Sequence, residues 1–185
     1  GVTVLVHPEN RGKGAALKTA FAEILRRFPD AVGTVTFDAD GQHLPADIVR
    51  VADELQSHPR QVTIGARCFG SDIPFRSRLG NHWTTAFFWL LTGLAIKDTQ
   101  TGLRGIPSGL LPSLLNLPGE RYDYEIGMLV RAALSSDGCR EIPIETVYED
   151  GNRASHFRPL ADTASTQRAL FRAALTARFG SRLRA

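Results

Sequence analysis

The sequence is poor in cysteine and has no apolar run long enough to cross a bilayer. Its two cysteines, Cys68 and Cys139, lack the close spacing of a zinc or redox site, so free thiols in a reducing compartment are expected. The apolar segment at residues 83–96 has fourteen residues interrupted by threonines, whereas a membrane-spanning helix needs about 20. The opening residues also lack the basic and apolar regions of a secretory signal. We therefore expect no disulfide, no zinc centre and no transmembrane helix.

Neither sign of charge dominates the chain. Twenty-two lysines and arginines face 19 acidic residues, which gives a net charge of +3. The charges are dispersed, and no basic run indicates a nucleic-acid-binding arm. A length of 185 residues with 43% hydrophobic content predicts one globular domain with a packed core. The small positive excess also suits phosphates or an anionic membrane surface.

The most informative segment places two carboxylates one residue apart, directly after the apolar residues 35–37. Asp38 and Asp40 lie on one face of an extended backbone, where both can reach one cation. Hard oxygen ligands suit Mg²⁺ or Mn²⁺, which commonly keep coordination positions for substrate phosphates. The same four residues, 38–41, also fit a simple polar turn, because Asp and Gly favour turns for local reasons.

The apolar periodicity predicts strands and helices that alternate along the chain. Such an order is typical of βαβ units, so the expected fold is α/β with a mostly parallel sheet flanked by helices on both faces. Strands are predicted at residues 2–6, 32–37, 62–66 and 141–148, with short extended pieces around residues 101–106. Helices are predicted at residues 14–28, 45–58, 81–94, 108–115, 124–133 and 162–178.

A glycine-rich turn at residues 10–14 (NRGKG) connects the first predicted strand to the first predicted helix. It lacks the longer glycine spacing and the Lys-Ser/Thr pair of a Walker loop, so a P-loop is rejected. Arg11, Lys13 and the backbone N–H groups of the helix start can still hold an anion. On spacing alone, a flexible turn that caps the helix is the simpler interpretation.

Seven short motifs follow one another along residues 4–162. They are residues 10–17 (NRGKGAAL), 38–43 (DADGQH), 65–67 (GAR) with 73–76 (IPFR) and 80–81 (GN), 98–105 (DTQTGLRG), 122–125 (YDYE), 141–144 (EIPI) and 155–157 (SHF). In content and order they resemble the family 2 glycosyltransferases, in the branch of dolichyl-phosphate mannose synthase and bacterial polyprenyl-phosphate glycosyltransferases.

The resemblance implies a Rossmann-like nucleotide-diphospho-sugar transferase fold of the GT-A type. Residues 1–160 would form the catalytic domain and residues 161–185 a basic C-terminal helix. Family members normally begin with two further strands, which carry Pro-Tyr-Asn and a pair of acidic residues and form much of the nucleotide pocket. Neither strand precedes Gly1, so a domain that lacks its first strands is expected.

The resemblance also assigns the donor side of a site. A divalent cation, Mg²⁺ or Mn²⁺, would be held by Asp38, Asp40 and Gln42, and the adjacent His43 receives no role. Residues 149–159 form a polar loop that can close over a diphosphate, although an ordinary surface loop fits the same residues. The donor-binding residues implied are Arg11, Lys13, Arg153, Ser155 and His156.

On the acceptor side, the resemblance implies a lipid phosphate bound by Arg67 and Arg76. Arg78 and Arg104 are further candidates, because clustered guanidinium groups suit a phosphate monoester. Considered alone, the loop arginines fit a solvated surface equally well. The apolar segment at residues 83–96 is most simply a core helix, but it can also provide a groove for an isoprenoid tail.

Asp98 is the first candidate for a catalytic carboxylate, with Glu125 in support. Demand for a base is small, because a phosphate monoester is already largely dianionic at neutral pH. Without the resemblance, a turn cap at Asp98 and an ion pair at Glu125 are equally good interpretations.

The expected function is inverting, metal-dependent transfer of a hexose from a nucleotide-diphosphate sugar to a polyprenyl phosphate. The expected location is cytoplasmic, with peripheral contact at the inner face of the membrane and no nucleic-acid partner. Two alternatives stay open: a family 2 enzyme with a saccharide acceptor, and a catalytically inactive fragment or binding subunit.

Overall fold

A computed structural model of the chain describes residues 1–67, 75–145 and 170–171, with side chains except at 75–83 and 122. Its sheet has four strands: β1 (Gly33–Thr36), β2 (Val62–Arg67), β3 (Arg104–Pro107) and β4 (Cys139–Ile144). The spatial order is β1-β3-β2-β4. Strand β3 is antiparallel to both β1 and β2, whereas β4 is parallel to β2.

The predicted α/β class is confirmed, but the sheet is mixed and not mostly parallel. Strands β1, β2 and β4 run in one direction, and β3 enters between β1 and β2 in the opposite one. Apolar periodicity reveals where a strand lies but carries no information about its direction. The direction of β3 is set by the loop that leads into it, so the sequence pattern could not show it.

Five α-helices and one 3₁₀ turn lie among the described residues. They are α1 (Lys13–Arg27), α2 (Pro45–Ser57), α3 (Phe75–Thr92), the 3₁₀ turn Ser108–Leu110, α4 (Leu111–Leu115) and α5 (Tyr122–Ala133). Helix α2 begins at a proline, whose fixed φ suits the first turn and whose missing N–H is not needed there. Within the described ranges, no helix combines the length and apolar character that a membrane crossing requires.

The predicted strand at residues 2–6 is wrong, because the first seven residues have no regular structure. Val2 and Val6 are 94% and 81% exposed. A strand is stabilised by its ladder of hydrogen bonds to a neighbour, and no described residue pairs with this segment. The predicted strand at 141–148 is confirmed as far as Ile144, and residues 146–148 lie outside the described residues. The C-terminal helix also lies outside them, apart from the helical residues 170–171.

Three apolar clusters hold the elements together in the described part of the chain. Phe21 of α1 packs with α4, α5 and the buried Ile106 of β3. Ile64 of β2 and Phe88 of α3 pack with α5 in a second cluster. Val51 of α2 packs with β4 in the third. Burying each such side chain contributes about 1.5–3 kcal/mol, so the helices are fixed on the sheet and position the loops at its strand ends.

Candidate active site

Asp38 lies in the loop after β1 and is packed tightly against the backbone of Gly102. A Cβ atom added at Gly102 would lie 2.2 Å from Oδ2 of Asp38. The loop is tied down nearby, since the Thr36 hydroxyl donates a hydrogen bond to the Gly102 carbonyl at 3.1 Å. A side chain at position 102 would therefore displace the Asp38 carboxylate, for which the glycine forms a cradle.

Asp40 organises the turn that follows. Its Oδ1 accepts a hydrogen bond from the backbone N–H of Gln42 at 3.1 Å. This is the local bond expected of an Asp in a polar turn, and it leaves the second carboxylate oxygen available. Both interpretations of the motif are thus compatible with the same geometry.

Lys13 joins three separate chain segments at this point. Its Nζ lies 2.5 Å from Oδ1 of Asp38 and 3.0 Å from Oε1 of Glu125. Burial alone lowers the pKa of Lys13, but the charge of Glu125 and the hydrogen bond and charge of Asp38 raise it above its ordinary value. The ammonium is therefore firmly charged and links the start of α1 to the loop after β1 and to α5.

Two glycines allow α1 to come close enough for this contact. A Cβ at Gly14 would lie 2.5 Å from Cβ of Tyr124 in α5. Gly12 has a φ of +94°, which favours glycine, and its Cβ would lie 2.6 Å from the Glu120 carbonyl oxygen. The neighbouring Arg11 forms an ion pair with Glu120 at 2.9 Å. Arg11 and Lys13, both predicted to bind the donor, thus have different carboxylate partners.

Asp98 holds the guanidinium of Arg67 at two points. Arg67 Nε donates to Oδ2 at 2.6 Å, and Nη2 donates to Oδ1 at 3.0 Å. Asp98 is fully buried and also accepts a hydrogen bond from the Gln100 backbone N–H. Oε1 of Glu141 in β4 accepts hydrogen bonds from the backbone N–H groups of Lys97 and Asp98. With both oxygens occupied, Asp98 is suited to orienting Arg67 more than to removing a proton.

Arg104 has a different environment from the one expected of a phosphate-binding residue. It is only 2% exposed. Its Nε, Nη1 and Nη2 donate to the backbone carbonyls of Thr101, Glu125 and Thr99 at 3.0, 2.9 and 3.1 Å. This guanidinium ties the loop at residues 99–101 to helix α5 and lies in the interior, which differs from the accessible position expected of an acceptor-binding residue.

His43 lies at the site, although the sequence motifs assign it no role. Its Nδ1 is buried and has no hydrogen-bond partner among the described residues. Burial lowers the pKa of His43, the charges of Asp38 and Asp40 raise it, and those of Arg67 and Lys13 lower it further. The ring therefore lies within electrostatic reach of four site residues. The sequence signal that points to His43 as a site residue is its position directly after Gln42, a proposed metal ligand.

Asp38 and Asp40 offer ligand atoms of the type that a hard divalent cation takes. The donors are carboxylate oxygens, one of them in a cradle that a Cβ would fill, and an orphaned imidazole nitrogen lies nearby. No group of three or more His, Cys, Asp or Glu side chains with metal-binding geometry occurs in the described part of the chain. A cation here would complete its coordination with water and substrate oxygens, as Mg²⁺ usually does.

Other predicted site residues fall where side chains are not described. Arg76 and Arg78 belong to the first turns of α3, but only their backbone is described. Arg153, Ser155 and His156 lie outside the described residues, as does Cys68. Cys139 is a free thiol, as expected, and burial raises its pKa to about 12.

Comparison with known proteins gives one family. Residues 1–110 match the family model described as glycosyl transferase family 2. The chain is 30% identical over 155 residues to an uncharacterized protein of Methanocaldococcus jannaschii, which covers 81% of this chain and 63% of that protein. It is 30% identical over 158 residues to the UDP-N-acetylglucosamine–dolichyl-phosphate N-acetylglucosaminyltransferase of Methanococcus voltae, covering 83% and 62%. The chain thus spans less than two thirds of the length of these relatives. No solved structure matches it significantly.

Proposed function

The chain belongs to glycosyltransferase family 2, and on this premise we propose that it transfers a hexose from a nucleotide-diphosphate sugar to a polyprenyl phosphate with inversion. The observation that carries the proposal is the meeting of Lys13, Asp38 and Glu125, which joins three of the family's motifs in one charged site. The choice of acceptor is supported by the Methanococcus voltae relative, whose name specifies dolichyl phosphate.

On the donor side, Asp38, Asp40 and Gln42 are proposed to hold Mg²⁺ or Mn²⁺. When bound, such a cation neutralises the negative charge of the departing nucleoside diphosphate. The chain's own contribution is to fix Asp38 in the Gly102 cradle and to place a charged lysine beside it. Further donor contacts are proposed for Arg11, Lys13, Arg153, Ser155 and His156.

On the acceptor side, Arg67 is proposed to bind the lipid phosphate together with Arg76 and Arg78. The bidentate contact with Asp98 holds the Arg67 guanidinium at the end of β2, and 21% of the Arg67 side chain is exposed. A guanidinium that is already held in place loses less conformational entropy on binding a phosphate than a mobile side chain does. Arg104 supports this region indirectly by clamping the backbone at residues 99 and 101.

The two proposed catalytic carboxylates have separable tasks. Asp98 acts through Arg67, because both of its oxygens are occupied by that side chain. Glu125 acts through Lys13, to which it is ion-paired at 3.0 Å. A phosphate acceptor is largely dianionic at neutral pH, so its attack on the anomeric carbon requires little proton removal. Orientation and charge placement are then the main contributions of the protein.

Peripheral contact with the cytoplasmic face of a membrane is part of the proposal. Trp89 and Leu90 of α3 are 57% and 68% exposed. Exposed tryptophan and leucine on a helix that begins next to the proposed acceptor-binding arginines suit the boundary between lipid head groups and acyl chains. The phosphate of a membrane-embedded polyprenyl phosphate would lie at this same boundary.

The test is transfer of a radiolabelled hexose from nucleotide sugars into butanol-extractable lipid, with undecaprenyl or dolichyl phosphate supplied. The wild-type protein is expected to label the lipid fraction. The Asp38→Asn variant is expected to transfer label at least about 100-fold more slowly. Label in a saccharide fraction would support the saccharide-acceptor alternative. Absence of nucleoside diphosphate release with any acceptor would support an inactive binding subunit.

A further inference from the structure

We propose that Lys13 is a built-in competitor of the divalent cation for Asp38, which keeps the affinity of the site for the free cation low. The inference rests on the proposed function, since it assumes that Asp38 is a ligand of the cation. It assigns Lys13 a role in controlling when the site is loaded, in addition to its proposed contact with the donor.

The geometry sets the two uses of Asp38 against each other. The Lys13 ammonium lies 2.5 Å from Oδ1, and Oδ2 packs against the Gly102 backbone. A cation that binds the Asp38 carboxylate therefore comes within a few ångströms of the ammonium. The repulsion between the two positive charges is relieved when the ammonium moves away.

Moving Lys13 away has an electrostatic cost. Its second partner, Glu125, is only 11% exposed in its side chain and lies 3.0 Å from the same Nζ. That contact keeps the ammonium close to Asp38, where it repels an incoming divalent charge. Interactions between charges a few ångströms apart are strong at a partly buried site, where water screens them less than in bulk solution. An anionic donor diphosphate would offer the ammonium a new partner and so relieve the competition.

Removing the ammonium should strengthen binding of the free cation. In the variant Lys13→Met, Asp38 and Glu125 keep their charges but lose their shared counter-charge. We expect the affinity for Mn²⁺ alone to rise about tenfold or more. Lys13→Arg keeps the charge and is expected to remain within about threefold of wild type on the same electrostatic grounds.

Electron paramagnetic resonance of free Mn²⁺, titrated into the protein without nucleotide, measures this affinity directly. Lys18→Met is the matched control, because Lys18 is also on α1 but donates to the Gly119 carbonyl and lies over the Tyr124 ring. Its Mn²⁺ affinity should not change. The gain in Lys13→Met should vanish when Asp38→Asn is added. Circular dichroism and thermal melting of each variant establish that it is folded.

Unchanged or weaker Mn²⁺ binding in a folded Lys13→Met variant would overturn the inference. If Mn²⁺ binding still depends on Asp38 in that case, the proposed function stands and only the competition is refuted. Mn²⁺ binding that is indifferent to Asp38→Asn in every variant would overturn both the inference and the proposed metal site.

Discussion

The carboxylate of Asp98 and the guanidinium of Arg67 are joined by two parallel hydrogen bonds of 2.6 and 3.0 Å. Asp98 is fully buried, while a fifth of the Arg67 side chain reaches solvent, at 21% exposure. The pair thus has one end in the protein interior and the other at the proposed acceptor site. It connects the stability of the fold to the orientation of a ligand-binding group.

Replacing Asp98 with Asn should destabilise the protein by about 3 kcal/mol, because removing one charge of an ion pair with a buried carboxylate is strongly destabilising. Urea denaturation measures the change. Asp137→Asn provides the control, since its exposed pair with Arg60 at the protein surface should contribute little. Equal destabilisation by the two variants would contradict the structural role given to Asp98.

The substitution Gly102→Ala should reduce the transfer activity more than the stability of the fold. The added Cβ would lie 2.2 Å from Oδ2 of Asp38, so the carboxylate must leave its position. We expect a loss of stability of about 1–3 kcal/mol from overpacking and a fall in transfer rate of at least about 100-fold from the displaced group. Steady-state transfer assays and thermal melting separate the two effects. Gly109→Ala is the control, because nothing lies within 4 Å of its added Cβ; an equal loss of activity there would refute the argument.

Arg104→Met should act mainly on stability. The change leaves three backbone carbonyls without their donor, those of Thr99, Thr101 and Glu125. Each unsatisfied buried group costs about 1–3 kcal/mol, so the variant should lose about 3 kcal/mol or more. Denaturation measures this loss, and in the remaining folded enzyme the KM for lipid phosphate should change far less than in Arg67→Met. A KM effect equal to that of Arg67→Met would show that Arg104 binds the acceptor after all.

The Cys139 thiol should resist alkylation. Its pKa is raised to about 12 by burial, so the folded protein holds very little thiolate at pH 8.5. In a Cys68→Ser background, reaction with iodoacetamide should be at least about tenfold slower than that of a free thiol with an ordinary pKa. Unfolding in urea should restore the ordinary rate. Fast reaction in the folded state would contradict the buried environment.

Helices α1 and α2 were predicted to within one residue at each end. The helices predicted at residues 14–28 and 45–58 correspond to the observed helices Lys13–Arg27 and Pro45–Ser57. Their signals are local, since a proline at the start and an apolar stripe need no knowledge of the rest of the chain. The exposed segment at residues 2–6 has the composition of a strand, but a strand also requires a partner, which composition does not reveal.

The sequence motifs supply the candidate site residues but not the contacts between them. Lys13, Asp38 and Glu125 are far apart in sequence, and only packing of α1 against α5 brings them together. Arg104 and Arg67 are both arginines, and each lies within one of the seven motifs. Burial alone distinguishes the two arginines, and burial depends on the whole tertiary structure. His43 was overlooked for the same reason.

Glu141 contacts no proposed substrate group, yet it fixes the backbone from which Asp98 projects. Its Oε1 binds two consecutive amides, those of Lys97 and Asp98, across the space between β4 and the loop before β3. A peripheral strand thereby acts as a remote anchor for the arginine proposed to select the acceptor. Substitution of this outlying glutamate would therefore change the affinity for the acceptor phosphate while every residue proposed to touch the lipid stays the same.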